Sequence, residues 1–261
     1  MLRLPVSVYM TRAPAVIPAG ANLERAAMLL DARGVSAMPV VDGDNIPIGV
    51  VSRRDLLQAG TLDRPERRRA AEWRLPDRPV EGIMSRKIIT VASSTALGEA
   101  AALMLDAHTH RVFVEEGDEL VGVLTTRDIM EGIVDARIET PVEVYMHRPV
   151  ESIVDIGPLS FARQSLASLG IRGLIVAWEG RPVGVFAEQE ALASRNTDSD
   201  IPVAQVMSHQ VIVVGPDMPL HLVAGRMASM HAQRVVVTKD DEMLGVLTGI
   251  DLAGAAALES D

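Results

Sequence analysis

The sequence predicts an α/β (α+β) protein assembled from four copies of one β-α-β-β-α unit. Three observations carry that prediction. A short motif of the form Gly, two apolar residues, Ser or Thr, two variable residues and Asp recurs along the chain. It reads "GVVSRRDLL" from Gly49, "GVLTTRDIM" from Gly122, "GVFAEQEAL" from Gly184 and "GVLTGIDLA" from Gly245. Each copy is led by a methionine (Met10, Met84, Met146, Met207), with the glycine 39 residues later in the first copy and 38 later in the other three. Between them, a leucine falls 13 residues after the methionine (Leu23, Leu97, Leu159, Leu220) and a valine 30 after it (Val40, Val114, Val176, Val237). Several registers held together in this way mark a repeat architecture.

Each copy reads the same way from its methionine onward. A short apolar β segment comes first: "AVIP", "IITV", "ESIV", "VIVV". An Ala-rich amphipathic helix opens at the shared leucine: "LERAAMLLDARG", "LGEAAALMLDAHT", "LSFARQSLASLG", "LHLVAGRMASMH". Pro158 and Pro219 stand just before it, where a helix start tolerates proline. A strand follows, "AMPVVD", "RVFVEE", "GLIVAW" or "RVVVTK", and then a turn, "DGDN", "EGDE", "EGRP" or "KDDE". The glycine strand is next. A second helix opens at the Ser/Thr, because that hydroxyl with an acid three residues later is a capping box. One unit is too small to bury both faces of its sheet, so the repeats are expected to pair. Their limits are 1–60, 80–135, 136–198 and 199–261, with an insert at 61–79.

Composition narrows the function. The chain has 261 residues, 48% of them hydrophobic, and its formal net charge is −10. That charge argues against a nucleic-acid binder working by phosphate neutralisation, and an aromatic content of 3% argues against a base-stacking platform. No cysteine is present, which removes disulfides, thiolate catalysis and thiolate-bound metals. No apolar run approaches the roughly 20 residues that span a bilayer, and the start "MLRLPVSVYM" is too short and too broken by Pro5 for a signal peptide. A soluble, cytoplasmic protein without a membrane partner is expected. No nucleophile–base pair, metal cluster or Gly-rich phosphate loop points to an enzyme, and no metal is expected; His108 and His110 lack a third ligand nearby.

The methionine lead-in, the Leu-initiated helix, the "PVVD" strand at Pro39–Asp42 and the Gly-led capping motif resemble the cystathionine-β-synthase (CBS) domain family, in four tandem copies. The resemblance implies that repeats pair about pseudo-twofold axes into Bateman modules, here 1–135 and 136–261. It also implies clefts that take adenosine ligands (AMP, ADP or ATP, with S-adenosylmethionine or methylthioadenosine as the alternative) and a regulatory role. Self-association through helices, as a homodimer, and an unknown regulated protein come with it.

The residues fit that chemistry. A carboxylate can accept from both hydroxyls of a ribose, and a helix N-terminus with an arginine suits a phosphate. The expected ligand groups are Ser52, Arg53, Arg54 and Asp55 in the first copy, Thr125, Arg127 and Asp128 in the second, and Thr248 and Asp251 in the fourth. The resemblance adds the pair before the middle strand, His110 and Arg111, and Arg234 in the fourth copy, as groups that reach phosphate. The third copy has Ala187 and Glu190, with Glu188 adding charge where a phosphate would sit, so its site is expected to be degenerate. The other reading of every one of these motifs is a helix cap in a ligand-free interaction scaffold.

The insert "TLDRPERRRAAEWRLPDRP" carries six Arg against four acids. The spacing of Asp63–Arg67 and Arg68–Glu72 predicts a solvated helix, and the sharper expectation is a contact arm for the second module, another subunit or an acidic partner, with Trp73 as its anchor. The acidic clusters Glu115–Glu119 and Asp240–Glu242 are expected to be hairpin turns.

Overall fold

A computed structural model of the chain describes residues 2–63, 72–117 and 119–259. The first repeat contains a 3-10 turn at Val6–Val8, β1 (Thr11–Arg12), β2 (Ile17–Pro18), α1 (Leu23–Ala32), β3 (Ala37–Val41), β4 (Pro47–Ser52) and α2 (Arg53–Ala59). The insert contributes a hairpin of β5 (Thr61–Asp63) and β6 (Glu72–Arg74). The second repeat has a 3-10 turn at Val80–Gly82, β7 (Thr90–Ala92), α3 (Leu97–Asp106), β8 (Arg111–Glu116), β9 (Glu119–Thr125) and α4 (Thr126–Ala136). The third has Val142–Val144, β10 (Ser152–Val154), α5 (Leu159–Leu169), β11 (Gly173–Trp178), β12 (Arg181–Ala187) and α6 (Glu188–Ala193). The fourth has Val203–Gln205, β13 (Val213–Val214), α7 (Leu220–Ser229), β14 (Arg234–Lys239), β15 (Glu242–Thr248) and α8 (Gly249–Leu258). Every repeat therefore follows the expected element order, including the third.

In each repeat, β1 set aside, the first strand runs parallel to the second, which pairs antiparallel with the third. The hairpin register explains the sequence anchors. The valine 30 residues after the methionine faces the motif glycine in every copy: Val40–Gly49, Val114–Gly122, Val176–Gly184 and Val237–Gly245. A register shift follows that valine each time, a bulge that twists the strand before it turns.

The methionine then lies over the glycine of another repeat. A Cβ on Gly122 would meet the Met10 sulfur at 2.6 Å, and one on Gly49 would meet that of Met84 at 2.7 Å. Gly245 lies in the same way against Met146, at 2.7 Å, and Gly184 against Met207. First and second repeats thus trade lead-in segments, as do third and fourth. Thr11 and Arg12 extend the second repeat's sheet by pairing with Val123 and Gly122. His147, Ser85 and Ser208 make the corresponding single bridges to Val246, Val50 and Val185. Only glycine leaves room for this approach of sulfur and backbone.

The chain forms two compact units that interleave along the sequence. The first unit comprises 1–14, 89–150 and 212–261, and the second comprises 15–88 and 151–211. The first unit joins the bodies of the second and fourth repeats, with α3 packed on α8 and α4 on α7 and α8. Small residues permit this closeness: Ala253, Ala255 and Ala256 on α8 are fully buried, and Gly132 abuts Leu97. One continuous core includes Met10, Leu97, Met104, Ile129, Ile133, Leu220, Met227 and Leu252. The second unit joins the first and third repeats, with α2 against α6 and cores around Leu23, Leu30, Met38 and Leu56 and around Leu159, Val176 and Phe186.

At the insert, residues 61–63 and 72–74 are strands rather than helix, and the expected helical stretch between them lies outside the described residues. Trp73 is 7% exposed; it joins the first repeat's core, lies against Gly60 and sits 5.7 Å under the Arg163 guanidinium. The Arg163 side chain donates to the Ser194 carbonyl and hydroxyl, while Asn196 N–H donates to the Trp73 carbonyl. Trp73 thus anchors the insert to the third repeat, as the contact-arm reading expects.

Candidate functional site

The four Gly-led motifs fold as hairpin strand followed by helix start, and the local physics is a cap. In the second repeat Asp128 Oδ2 accepts from the Thr125 N–H at 2.6 Å and from its hydroxyl at 2.9 Å. Asp55 accepts from Ser52 in the same way at 2.7 and 2.6 Å, and Asp251 from Thr248 at 2.7 and 2.7 Å. In the third repeat Glu190 still accepts from the Ala187 N–H at 3.0 Å, but no hydroxyl stands beside it.

These caps differ in burial. Asp128 is 7% exposed, and desolvation pushes its carboxyl up to about 6, against the lowering effect of the two bonds from Thr125. A surface cap carries no such cost; a carboxylate held part-way to its neutral form inside a fold is a candidate for function.

The strand register assigns the neighbours. Arg111 faces Thr125, and Arg234 faces Thr248, so a guanidinium-bearing residue flanks the hydroxyl–carboxylate pair at both motifs of the first unit. In the second unit the corresponding partners are Ala37 opposite Ser52 and Gly173 opposite Ala187. The carbonyl of His110 accepts from the Thr126 N–H at 3.1 Å, tying the turn before β8 to the start of α4. The two helix starts of the first unit also meet: a Cβ on Gly249 would lie 2.5 Å from the Thr126 hydroxyl oxygen. Two positive helix ends therefore converge beside Arg111 and Arg234.

The other arginines are engaged elsewhere. Arg53 is 4% exposed and caps the end of α1, donating to Asp31 at 2.5 Å and to the carbonyls of Leu30 and Val35 at 3.2 and 3.3 Å. Arg54 donates to the Gly170 carbonyl at 3.0 Å, and Arg127 contacts the His231 ring. Gly170 and His231 both occupy the left-handed position that ends their helices, so these two arginines clamp equivalent turns. Arg172 lies 3.8 Å from Glu188, an ion pair inside the degenerate third motif.

One participant escaped the sequence reading. His147, the residue after the lead-in Met146, reaches Asp251 Oδ2 at 3.2 Å. Its position corresponds to Thr11 beside the second motif. The signal was present as "VYMHR", but only the exchange of lead-in segments brings it to the fourth repeat. Among the described residues, no group of three or more His, Asp or Glu could hold a metal ion, and no helix is long and apolar enough to cross a membrane. Glu115 and Glu116 lie at the end of β8 and Glu119 opens β9, while Asp240 and Asp241 form the β14–β15 turn.

Comparison with known proteins adds the following. A family model described as "CBS domain" matches residues 6–61, 80–135 and 203–257. The third repeat, with Ala187 and Glu190, lies outside the matched segments. The chain is 24% identical over 192 residues to an uncharacterized 33.4 kDa protein in the ribosomal RNA operon of Thermofilum pendens, covering 69% of this chain and 60% of that one. It thus spans less than two thirds of that relative's length. A crystal structure from Methanocaldococcus jannaschii, of a protein proposed as an archaeal homolog of g-AMPK, superposes with a TM-score of 0.80 at 17% identity, covering 97% of this chain and 99% of that one. At that identity the likeness is one of fold. An uncharacterized conserved protein from Pyrococcus horikoshii gives a TM-score of 0.69 at 25% identity over 97% and 100% of the two chains.

Proposed function

This chain belongs to the CBS-domain family, and from that premise we propose that it is a regulatory protein that senses adenosine nucleotides. AMP, ADP or ATP binds at the Thr125–Asp128 and Thr248–Asp251 motifs, and binding changes the relative stability of two arrangements of the repeats. The observation that carries this reading is the buried Asp128 with its raised carboxyl, beside Thr125 and opposite Arg111. A ribose diol donates two hydrogen bonds to that carboxylate and restores the solvation that burial removed. Arg111 and His110, and Arg234 in the fourth repeat, are the groups proposed to receive the phosphate, beside the convergent helix starts, while Arg127 is held on His231 as Arg54 is on Gly170. The lead-in residues Thr11 and His147 border the strands that precede the two acids, and a ribose on Asp251 takes the place of the His147 ring there. Ligand shifts the protein only through unequal affinity for its two arrangements. The proposal keeps the modules 1–135 and 136–261 as the units that trade lead-in segments, and a homodimer and an unidentified regulated protein as partners.

The alternative is an S-adenosylmethionine or methylthioadenosine binder, which uses the same acids without the arginines. Calorimetric titration of refolded, ligand-stripped protein with AMP, ATP and S-adenosylmethionine separates the two. A phosphate ligand weakens sharply in Arg111→Ala, and a thioether ligand does not. If none binds, the motifs are caps and the protein is an interaction scaffold.

A further inference from the structure

We infer that phosphorylated adenosine ligands are confined to the first unit, and that Glu188 excludes them from the second, leaving Ser52 and Asp55 to an adenosine compound without phosphate. This rests on the reading of the motif carboxylates as ribose acceptors. The hydroxyl–carboxylate pair of the first repeat is intact, with Ser52 donating to Asp55 from both its N–H and its hydroxyl. What differs is everything a phosphate needs. Ala37 and Gly173 occupy the register positions held by Arg111 and Arg234 in the first unit. The two arginines of the first repeat's own motif are engaged. Arg53 is buried against Asp31 and the end of α1, and Arg54 reaches the Gly170 carbonyl.

Arg172, the residue before Gly173, is met by Glu188 at 3.8 Å. Glu188 is 8% exposed and opens α6, where the other repeats have Arg53, Thr126 and Gly249. It is an acid at a position where no other repeat carries one. Helix α6 packs against α2, and the charges that act on Arg172 are Glu188, Arg54 and Asp55 together. An anionic tail extending from a ribose on Asp55 therefore runs into a buried carboxylate whose countercharge is already taken. Rejection by a like charge is a common means of discrimination between ligands that share one recognition group. The helices add little attraction for an anion: α2 and α6 have 7 and 6 residues, against 11 and 10 for α4 and α8. An uncharged adenosine compound meets none of these penalties.

The test is calorimetric titration of the full chain with AMP and with adenosine. In Asp128→Asn/Asp251→Asn, AMP is expected to weaken by roughly a hundredfold while adenosine keeps its site, and adding Asp55→Asn abolishes the adenosine signal. Adding Glu188→Gln to the double variant instead leaves Arg172 without its acid and is expected to tighten AMP by roughly tenfold or more. AMP bound by the double variant as tightly as adenosine, or a Glu188→Gln change without effect on AMP, overturns the inference. A wild-type chain that binds neither AMP nor adenosine overturns the ribose-acceptor reading itself, and the inference with it.

Discussion

Replacing Asp128 by Asn should make the ligand-free protein more stable near neutral pH while destroying its second-repeat site. Burial raises this carboxyl from 3.8 to about 6, a shift of roughly two units, or about 3 kcal/mol between its charged and neutral forms. Because the folded value is the higher one, the stabilisation is complete below about pH 4 and is lost as pH rises through about 6. The wild-type chain therefore carries an ionised, desolvated acid at pH 7.5 that the variant lacks. Asn at the same position keeps an acceptor for the Thr125 N–H but gives up charge-assisted bonding, which costs about 1 kcal/mol. The expected net gain is about 1–2 kcal/mol at pH 7.5, shrinking towards zero or below at pH 4. Affinity moves the other way: two ribose hydroxyls lose a charged acceptor, about 3 kcal/mol in all, which is roughly a hundredfold. Denaturant unfolding of the ligand-free proteins at pH 4, 6 and 7.5, with AMP titrations at the upper two, measures both. A variant that is less stable at pH 7.5 and binds AMP as wild type does would show the carboxylate to be a cap alone.

Three other substitutions probe the fold and its sites. Gly122→Ala drives a Cβ to 2.6 Å from the Met10 sulfur and 3.2 Å from the Thr11 carbonyl. It should cost about 2 kcal/mol by thermal melting, and Met10→Ala in the same chain should recover part of that loss. Arg53→Ala strands Asp31 and the carbonyls at the end of α1, and should destabilise by about 2–3 kcal/mol in urea unfolding. AMP affinity should stay within error, since its guanidinium points into α1; a parallel loss of affinity would return Arg53 to the ligand. His147→Ala removes the imidazole that a ribose must displace from Asp251. Affinity at the fourth repeat should rise roughly threefold, read in an Asp128→Asn background, and a fall would make His147 a ligand contact.

The repeat was legible because its anchors stack on one another. The valine and the glycine of each copy are partners across a hairpin, and a methionine covers the glycine, so none of the three can drift. The hydroxyl–acid pairs were legible for the same reason that they are ambiguous: a cap and a ribose acceptor need the same atoms at the same spacing. Which glycine a methionine covers was not legible. Met10 precedes Gly49 by almost the interval at which Met84 precedes Gly122, so the period does not distinguish a repeat's own glycine from its neighbour's. Arg53 and Arg54 are adjacent and alike in sequence, and only the fold turns one into α1 and the other towards Gly170. The two ends of the insert, Thr61–Asp63 and Glu72–Arg74, pair as strands, which charge spacing did not signal. Pairs at i,i+4 contribute a few tenths of a kcal/mol, far less than the burial of Trp73 that pins the hairpin.

The interleaving of the two units gives the chain a fixed order of completion during synthesis. Met84 emerges after Gly49 and can dock at once, whereas Met10 must wait for Gly122, and Met146 for Gly245. Among these residues the second unit owns none beyond 211, so it can close while the first still lacks residues 212–261. Until those arrive, α3 and α4 have no α7 or α8 to cover them. A ribosome stalled within residues 212–261 therefore holds a folded unit tethered to an apolar, half-built one, a species prone to sticking to its neighbours. A chain cut after residue 211 meets the same fate permanently: it keeps the Ser52–Asp55 motif and forfeits the fourth repeat's acid together with the cover over the second's.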